Sequence, residues 1–510
     1  MELRRNIIKN SIYSILEFGW PVVTALLATP YIVHKLGIDA YGILALVSVT
    51  LGFFGVLDLG LTGAAIKYIA EYYEKKDFDM INKILSSTIL AYGLIGTVVA
   101  LFILGTTDLL VVKILKVPPQ FIEVAKFAFY LAAFGFLLNL VLGIFAAIPK
   151  AVQRYDISTK IGIIIGTLNI LGMVGLLYYG YWLRELVILG IVISILSFVV
   201  YFWVAKKLIP SLRIKWFFDQ KMFMKLLSFG SFFLLTSMSA VILFHLDKLI
   251  IGSILGVSVV AFYVIPGNIA SKIQGLINAA GNVAFPASSA LSGGGQIDKL
   301  HKLYFEGTRV LLIIATMLSV PLVVFAEKFL LHWIGADFAT QSTNVMRILV
   351  VTYYMLSIGM IPWAISLGSG RSKINAFFAF FTAFLNISFL FLAIRPWGIV
   401  GAALAYLLST LISIPLMIGY IERKILKLSG FKFWVIFSKI FITSLAQTFV
   451  SFLLLPFATN IFATLALMGA SALSFIAIYI ILGFWEEGDK KILNIFLEKF
   501  GFNKSFLSGG

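Results

Sequence analysis

Cysteine is absent from the 510 residues, which excludes disulfides, thiolate metal sites and a cysteine nucleophile. Histidine is scarce, with 4 in the chain, which weakens the case for a metal site built on imidazole. Charge is scarce: 12% of the residues are Asp, Glu, Lys or Arg, against roughly 25% in a soluble domain. Acidic charge is scarcest, with 23 Asp and Glu against 40 Lys and Arg, for a net +17. No Gly-x-x-x-x-Gly-Lys-Ser/Thr loop occurs, which excludes transport driven by ATP hydrolysis in this chain. What fills the sequence instead is apolar: 61% hydrophobic residues and a mean hydropathy of +1.02. A water-soluble enzyme is ruled out, and the chain is an integral membrane protein. In that setting the basic excess points first to loops retained on the cytoplasmic side and second to an anionic ligand, with no nucleic acid required.

About fourteen apolar runs are bounded by charges, Pro or Gly and reach the ~20 residues that a membrane-crossing helix needs. They begin with 11–34 and 41–66 and end with 434–456 and 461–483. An even number places both termini on one side. The loops on that side hold about 28 Lys and Arg and the opposite loops about 7, which predicts cytoplasmic N- and C-termini in the cytoplasmic (inner) membrane. The first run contains Glu17 and Pro21 and lacks a small-residue cleavage site, so it reads as a membrane helix rather than a signal peptide.

Two basic linkers divide the chain. The stretch from Lys206 to Lys225 mixes Lys and Arg with Trp216, Phe217, Phe218, Met222 and Phe223, the composition of an amphipathic segment on the membrane surface. The second runs from Ile421 to Lys432. The resulting division is an N-lobe over 1–208, a linker over 209–225, a C-lobe over 226–421, a final helix pair over 422–485 and a cytoplasmic tail over 486–510. A short repeat supports it. Leu36-Gly37 is followed after three residues by Tyr41-Gly42, and Leu255-Gly256 after three residues by Val260-Ala261, each at the same outer hairpin of its half. Halves of like orientation are related by an axis along the membrane normal. All loops are too short to hold a soluble catalytic domain, which argues against an enzyme.

Ionisable side chains at membrane depth mark function unless they reach an interface. Lys67, Lys126, Arg309, Arg347 and Lys439 lie near span ends and are read as snorkelling to the surface. Lys272 lies about 15 residues from either end of the expected span 257–285, too deep for that. Asn268, Gln274, Asn278 and Asn282 accompany it at helical spacing, a polar stripe that serves either as glue between helices or as the wall of a watery cavity for an anionic ligand. Asp58 stands mid-way along the second span between glycines, either in a structural pair or as an ion-coupling carboxylate. Glu17 admits the same role or snorkels. Asp247 and Lys248, beside His245, are read as neighbours pointing to different helices, forming either a salt bridge or a gate. One His and one Asp at this spacing make no metal site.

The sequence Lys9-Asn10-Ser11, Leu36-Gly37 with Tyr41-Gly42, Asp58-Leu59-Gly60-Leu61 with Ala64 and Lys67-Tyr68, and Asp247-Lys248-Leu249-Ile250-Ile251-Gly252 resembles the polysaccharide transporter (Wzx-type flippase) family of the multidrug/oligosaccharidyl-lipid/polysaccharide exporter superfamily. The resemblance implies an all-α polytopic fold of two pseudo-symmetric six-helix lobes plus two C-terminal helices, the latter forming an apolar groove. It implies movement of an undecaprenyl diphosphate-linked oligosaccharide by alternating access, with no cofactor and with coupling to an H⁺ or Na⁺ gradient as an option. Anionic membrane lipids and polysaccharide polymerase or glycosyltransferase machinery are the implied partners. Lys272 maps by position onto a cavity cation of helix eight in related lipid II flippases. Helix one carries Glu17 where those proteins place arginine, which argues against lipid II as the substrate. The alternatives are a cation-coupled multidrug exporter, disfavoured by the two extra spans and by Lys272, and a polytopic glycosyltransferase, for which no acidic constellation is present.

Overall fold

The computed structural model describes residues 2–58, 60–214, 217–281, 284–428 and 431–486, with side chains at all of these apart from 2–18, 229–237, 239–240 and 431–432. The described residues are helical with short connections and contain no strand. In chain order the helices are α1 (Glu2–Leu36), α2 (Ile38–Phe54), α3 (Leu61–Glu74), α4 (Phe78–Asp108), α5 (Ile122–Ala151), α6 (Tyr155–Tyr178), α7 (Leu183–Leu208), α8 (Gln220–Val241) and α9 (Asp247–Leu255). They continue with α10 (Val257–Gly281), α11 (Ala284–Gly293), α12 (Ile297–Val324), α13 (Ala326–Trp333), α14 (Ala336–Ile358), α15 (Met360–Gly368), α16 (Ser372–Ile421), α17 (Phe431–Leu454) and α18 (Ile461–Ile481).

Helices are what apolar runs of this length must form, because a lipid interior offers no water to the backbone and a helix satisfies its own N–H and C=O groups. Among the described residues 10 helical segments are long and apolar enough to cross a membrane. One of these, over α16, holds two expected spans, separated where Gly398 takes φ 56° and ψ −136°, a conformation open to glycine. The remaining expected spans fall on α1, on α8 with α9, and on α10.

The chain forms two compact units, one of Met1–Ile265 with Ala379–Ala405 and one of Pro266–Phe378 with Tyr406–Gly510. In the first, α4 packs on α5, α5 on α7, α1 on α6, and α3 lies against α4, α5 and α8. In the second, α12 packs on α14, α17 and α18, α17 on α18, and α11 on α15.

The Leu-Gly repeat has a physical counterpart in the first unit. Gly37 (φ 85°, ψ 157°) precedes α2 and Gly256 (φ 97°, ψ 162°) precedes α10, so both turns use one backbone conformation that L-residues avoid. The two turns also face each other. A Cβ added at Gly42 would stand 2.3 Å from the carbonyl oxygen of Val257. Trp182 braces the first turn by donating its indole N–H to Leu36 O at 2.9 Å.

The linker after α7 is a strap in which 209–214 and 217–219 are not helical, and its last residues, 220–225, open α8. Ile209, Leu212 and Met222 turn inward, while Ile214, Phe217, Phe218 and Met224 are exposed. Its backbone is tied to α4: Asn82 Nδ2 donates to Ser211 O at 3.1 Å, the Arg213 N–H to Asn82 Oδ1 at 2.9 Å and the Asp219 N–H to Ser87 Oγ at 2.9 Å. Asp219 then caps α8 by accepting from the Met222 N–H at 3.0 Å.

Several charges expected to snorkel instead find partners. Lys126 pairs with Asp108 at 2.7 Å, and Arg309, 5% exposed, pairs with Glu486 just past α18. Lys439 on α17 reaches the same carboxylate at 3.3 Å. A charge this enclosed requires partners, and one of them lies 177 residues away in sequence. Burial raises the affinity of Glu486 for a proton, but the hydrogen bonds and charges of Arg309 and Lys439 outweigh it, holding the carboxyl below the ordinary glutamate value. A lowered value means that the clasp contributes fully above the ordinary glutamate range and is lost as pH falls through the lowered one. Glu486→Gln is therefore expected to lower the melting temperature at neutral pH by the equivalent of about 1 kcal/mol or less, given the exposure of the carboxylate. The melting curves of the two proteins should converge in acid. Parallel curves down to acid pH would show that the clasp contributes nothing.

Candidate functional site

The polar stripe of α10 lies on the accessible side of its helix. Asn268 and Asn278 are exposed and Lys272 and Gln274 half-buried, whereas Ala270, Ile273 and Ile277 on the other side are buried. That division follows from sequence, since apolar residues at helical spacing turn inward and leave the amides and the ammonium on the accessible side. Lys272 stands about nine residues, ~13 Å, before the described end of α10 at Gly281 and about fifteen, ~22 Å, beyond Val257. The helix continues through Pro266, and Ser271 bonds back to Asn268 O at 2.9 Å. Asn282 lies outside the described residues, and so does the side chain of Glu17.

The first unit holds a separate polar chamber at Asp58. The sequence suggests one unbroken helix here, but a 3₁₀ turn over Gly55–Asp58 and a left-handed Gly60 (φ 68°) end α2 and start α3. The flanking glycines serve the break rather than close helix packing. Asp58 then sits at the start of α3, where its Oδ1 accepts from Thr62 Oγ1 at 2.7 Å, from the Thr62 N–H at 3.3 Å and from the hydroxyl of the buried Tyr92. An open-sided cavity of about 370 Å³ adjoins it, lined also by Gly52, Gly55, Phe136, Asn139 and Gly143. Among the described residues Asp58 makes no ion pair.

Asp247 and Lys248 lie beside each other, and Asp247 also reaches the next helix, α10. Asp247, 3% exposed, accepts from the Lys248 N–H at 2.8 Å and from the Tyr263 hydroxyl at 2.9 Å, using both oxygens. The Lys248 ammonium folds back to the Phe244 carbonyl and lies 3.7 Å from Asp247 Oδ1. His245, in a widened turn over Ile242–Leu246, rests against Gly52, and its Nδ1 has no hydrogen-bond partner among the described residues. Among the described residues no three His, Asp or Glu come together as a metal site.

Sequence reading did not anticipate Thr62 and Tyr92 as partners of Asp58. Thr62 follows it by one helical turn and was within reach of that logic. Tyr92 comes from another helix and carries no local signal.

With an all-helical membrane fold, a deep lysine face and a chambered carboxylate in view, relatives discriminate further. The family described as "Polysaccharide biosynthesis protein" matches residues 4–292, more than half of the chain. The chain belongs to that family. A Shigella flexneri member named as a candidate O-antigen transporter is 22% identical over 406 residues, covering 79% of this chain and 94% of that protein. Among solved structures, the lipid II flippase MurJ in an inward closed conformation is similar with a TM-score of 0.71 at 16% identity, over 97% of this chain and 99% of that one. An inward-facing multidrug resistance transporter of the MOP superfamily is similar with a TM-score of 0.68 at 16% identity, over 81% of this chain and 99% of its own. The chain is thus a multi-pass membrane protein of that family, with the fold shared by the flippase and the multidrug transporter.

Proposed function

We propose that this transporter moves a polyprenyl (undecaprenyl) diphosphate-linked oligosaccharide across the cytoplasmic membrane by alternating access, in the assembly of O-antigen or another surface polysaccharide. The observation that carries the reading is the accessible face of α10, where a lysine at membrane depth is flanked by Asn268, Gln274 and Asn278. A diphosphate entering the bilayer loses hydration that a fixed ammonium offsets, and amides replace water around sugar hydroxyls. Asn282 extends the stripe by one further turn in sequence. The lipid tail stays in the membrane beside the last helix pair, so only the head group crosses within the protein.

In this reading both termini face the cytoplasm, where most Lys and Arg lie and where anionic lipids are bound. Two six-helix lobes, 1–208 and 226–421, alternate about the strap over 209–225, with 422–485 as the lipid-facing pair. Polymerase and glycosyltransferase machinery act on either side of the step. An H⁺ or Na⁺ gradient supplies direction. Of the acidic candidates for coupling, Asp58 opens on a cavity, whereas Asp247 and Lys248 are engaged with Tyr263 and with each other. Glu17 keeps the role that its sequence position suggests.

Complementation of a bacterium lacking its oligosaccharide flippase tests this, with surface glycan as the readout. Rescue is expected. Export of cationic dyes without restoration of glycan, at normal membrane levels, would instead make the chain a multidrug exporter.

A further inference from the structure

The last turn of α7 is basic and borders an open-sided cavity of about 450 Å³, lined by Trp203, Val204, Lys206 and Lys207. Trp203 precedes the two lysines by three and four residues, so the three side chains share one side of the helix. Among the described residues neither lysine makes an ion pair. The surrounding sequence supplies no counter-charge. No Asp or Glu occurs between Glu185, at the opposite end of α7, and Asp219, whose carboxylate caps α8. The Lys206 ammonium stands 5.5 Å from the centre of the Phe202 ring, a contact that orients the charge without neutralising it. Cations at a helix C-terminus also offset its exposed carbonyls, but that role requires neither the cavity nor the indole beside them.

The surroundings select the occupant. Among the described residues α7 is the least buried of the segments long enough to cross a membrane, so bilayer lipid borders it. Trp203 is exposed, and an exposed indole near a helix end settles at headgroup level with its N–H toward polar oxygens. Beyond Lys207 the strap leaves Ile214, Phe217 and Phe218 exposed as well. An apolar wall with two consecutive ammoniums at its polar edge is complementary to an amphiphile that carries a phosphate next to acyl chains. Free phosphate would leave the apolar wall unused. We propose that this cavity binds the headgroup of an anionic glycerophospholipid from the adjoining leaflet, its phosphate between Lys206 and Lys207 and its glycerol backbone against Trp203 and Val204. The lipid then sits at the root of the strap that joins α7 to α8. Which leaflet supplies it rests on the cytoplasmic orientation proposed above, whereas the binding is independent of the transported substrate.

Native mass spectrometry of the purified full-length protein, titrated in detergent with dioleoylphosphatidylglycerol or dioleoylphosphatidylcholine, counts bound lipid directly. The wild type is expected to hold phosphatidylglycerol in clear preference to phosphatidylcholine. Lys206→Gln/Lys207→Gln should weaken phosphatidylglycerol binding roughly thirtyfold, the effect of removing two cations at a membrane surface, and leave phosphatidylcholine binding unchanged. Lys206→Arg/Lys207→Arg keeps both charges and should retain the preference. Lys299→Gln/Lys302→Gln, which removes the same charge from α12, should bind as the wild type does. A wild type without preference would overturn the proposal, as would an undiminished preference in the glutamine pair. An equal loss in the α12 pair would overturn it by assigning the effect to general surface charge, and a loss in the arginine pair by assigning it to altered structure. Displacement of phosphatidylglycerol by equimolar undecaprenyl diphosphate would give the cavity to the transported lipid instead. Selective binding without glycan rescue would leave this site standing and remove the substrate. Rescue without selective binding would do the reverse.

Discussion

Lys272→Ala is expected to abolish glycan rescue while the protein still inserts at wild-type levels. Removing one partner of a desolvated charge pair costs about 2–5 kcal/mol, since the other charge is left without compensation. If that loss falls on translocation of the head group, the rate drops by roughly 30- to 4,000-fold, enough to eliminate visible surface glycan. Lys272→Arg keeps the positive charge and should retain measurable transport, although a planar fork cannot reproduce the geometry of a compact ammonium. Asn268→Ala and Asn278→Ala remove amides from the accessible face without touching the charge, so each should cost far less. Full activity in Lys272→Ala would take the lysine out of the substrate path and return the α10 stripe to a packing role.

The second large effect concerns the crossing of α2 and α10. A methyl group at Gly42 would lie 2.3 Å from Val257 O and 3.1 Å from its carbonyl carbon, and both are backbone atoms that cannot rotate aside. Gly42→Ala must therefore push the two helices apart, at a cost of about 1–3 kcal/mol. Gly52→Ala meets the His245 ring at 2.3 Å instead, and a side chain can swing away, so a smaller loss is expected there. Gly93→Ala, with nothing within 4 Å of the added methyl, is the control and should be neutral or slightly stabilising. Thermal melts of the three variants in one detergent give the ranking. A melting temperature for Gly42→Ala as high as that of Gly93→Ala would mean that the close approach does not exist in the membrane.

The parts of this molecule that were legible in its sequence are those imposed by strong local constraints. Long apolar runs had to be helices, because lipid leaves backbone groups no other partner. The glycines at 37 and 256 announced matching turns, because a positive φ is costly for other residues. Long-range pairing left no such trace. Arg309 looks from sequence like a snorkelling residue, and only the folded chain shows Glu486 against it. Tyr92 is 34 residues from Asp58 and reads as one aromatic among 20 tyrosines. The break at Asp58 lay between these cases. Gly55 and Gly60 signalled it, but glycine in a membrane helix equally signals tight packing, and the two meanings separate only when the backbone is seen.

The strap between α7 and α8 has a consequence for proteolysis. Its Arg213 is a trypsin site, yet the amide of Arg213 is held by Asn82, and two residues earlier Ser211 is held by the same side chain. A protease needs several residues of free extended backbone, so cutting here must wait for Asn82 to let go. The cleavage rate then reports how often the strap detaches. Asn82→Ala should raise that rate without altering the site itself, turning one surface amide into a clock for the opening of the linker.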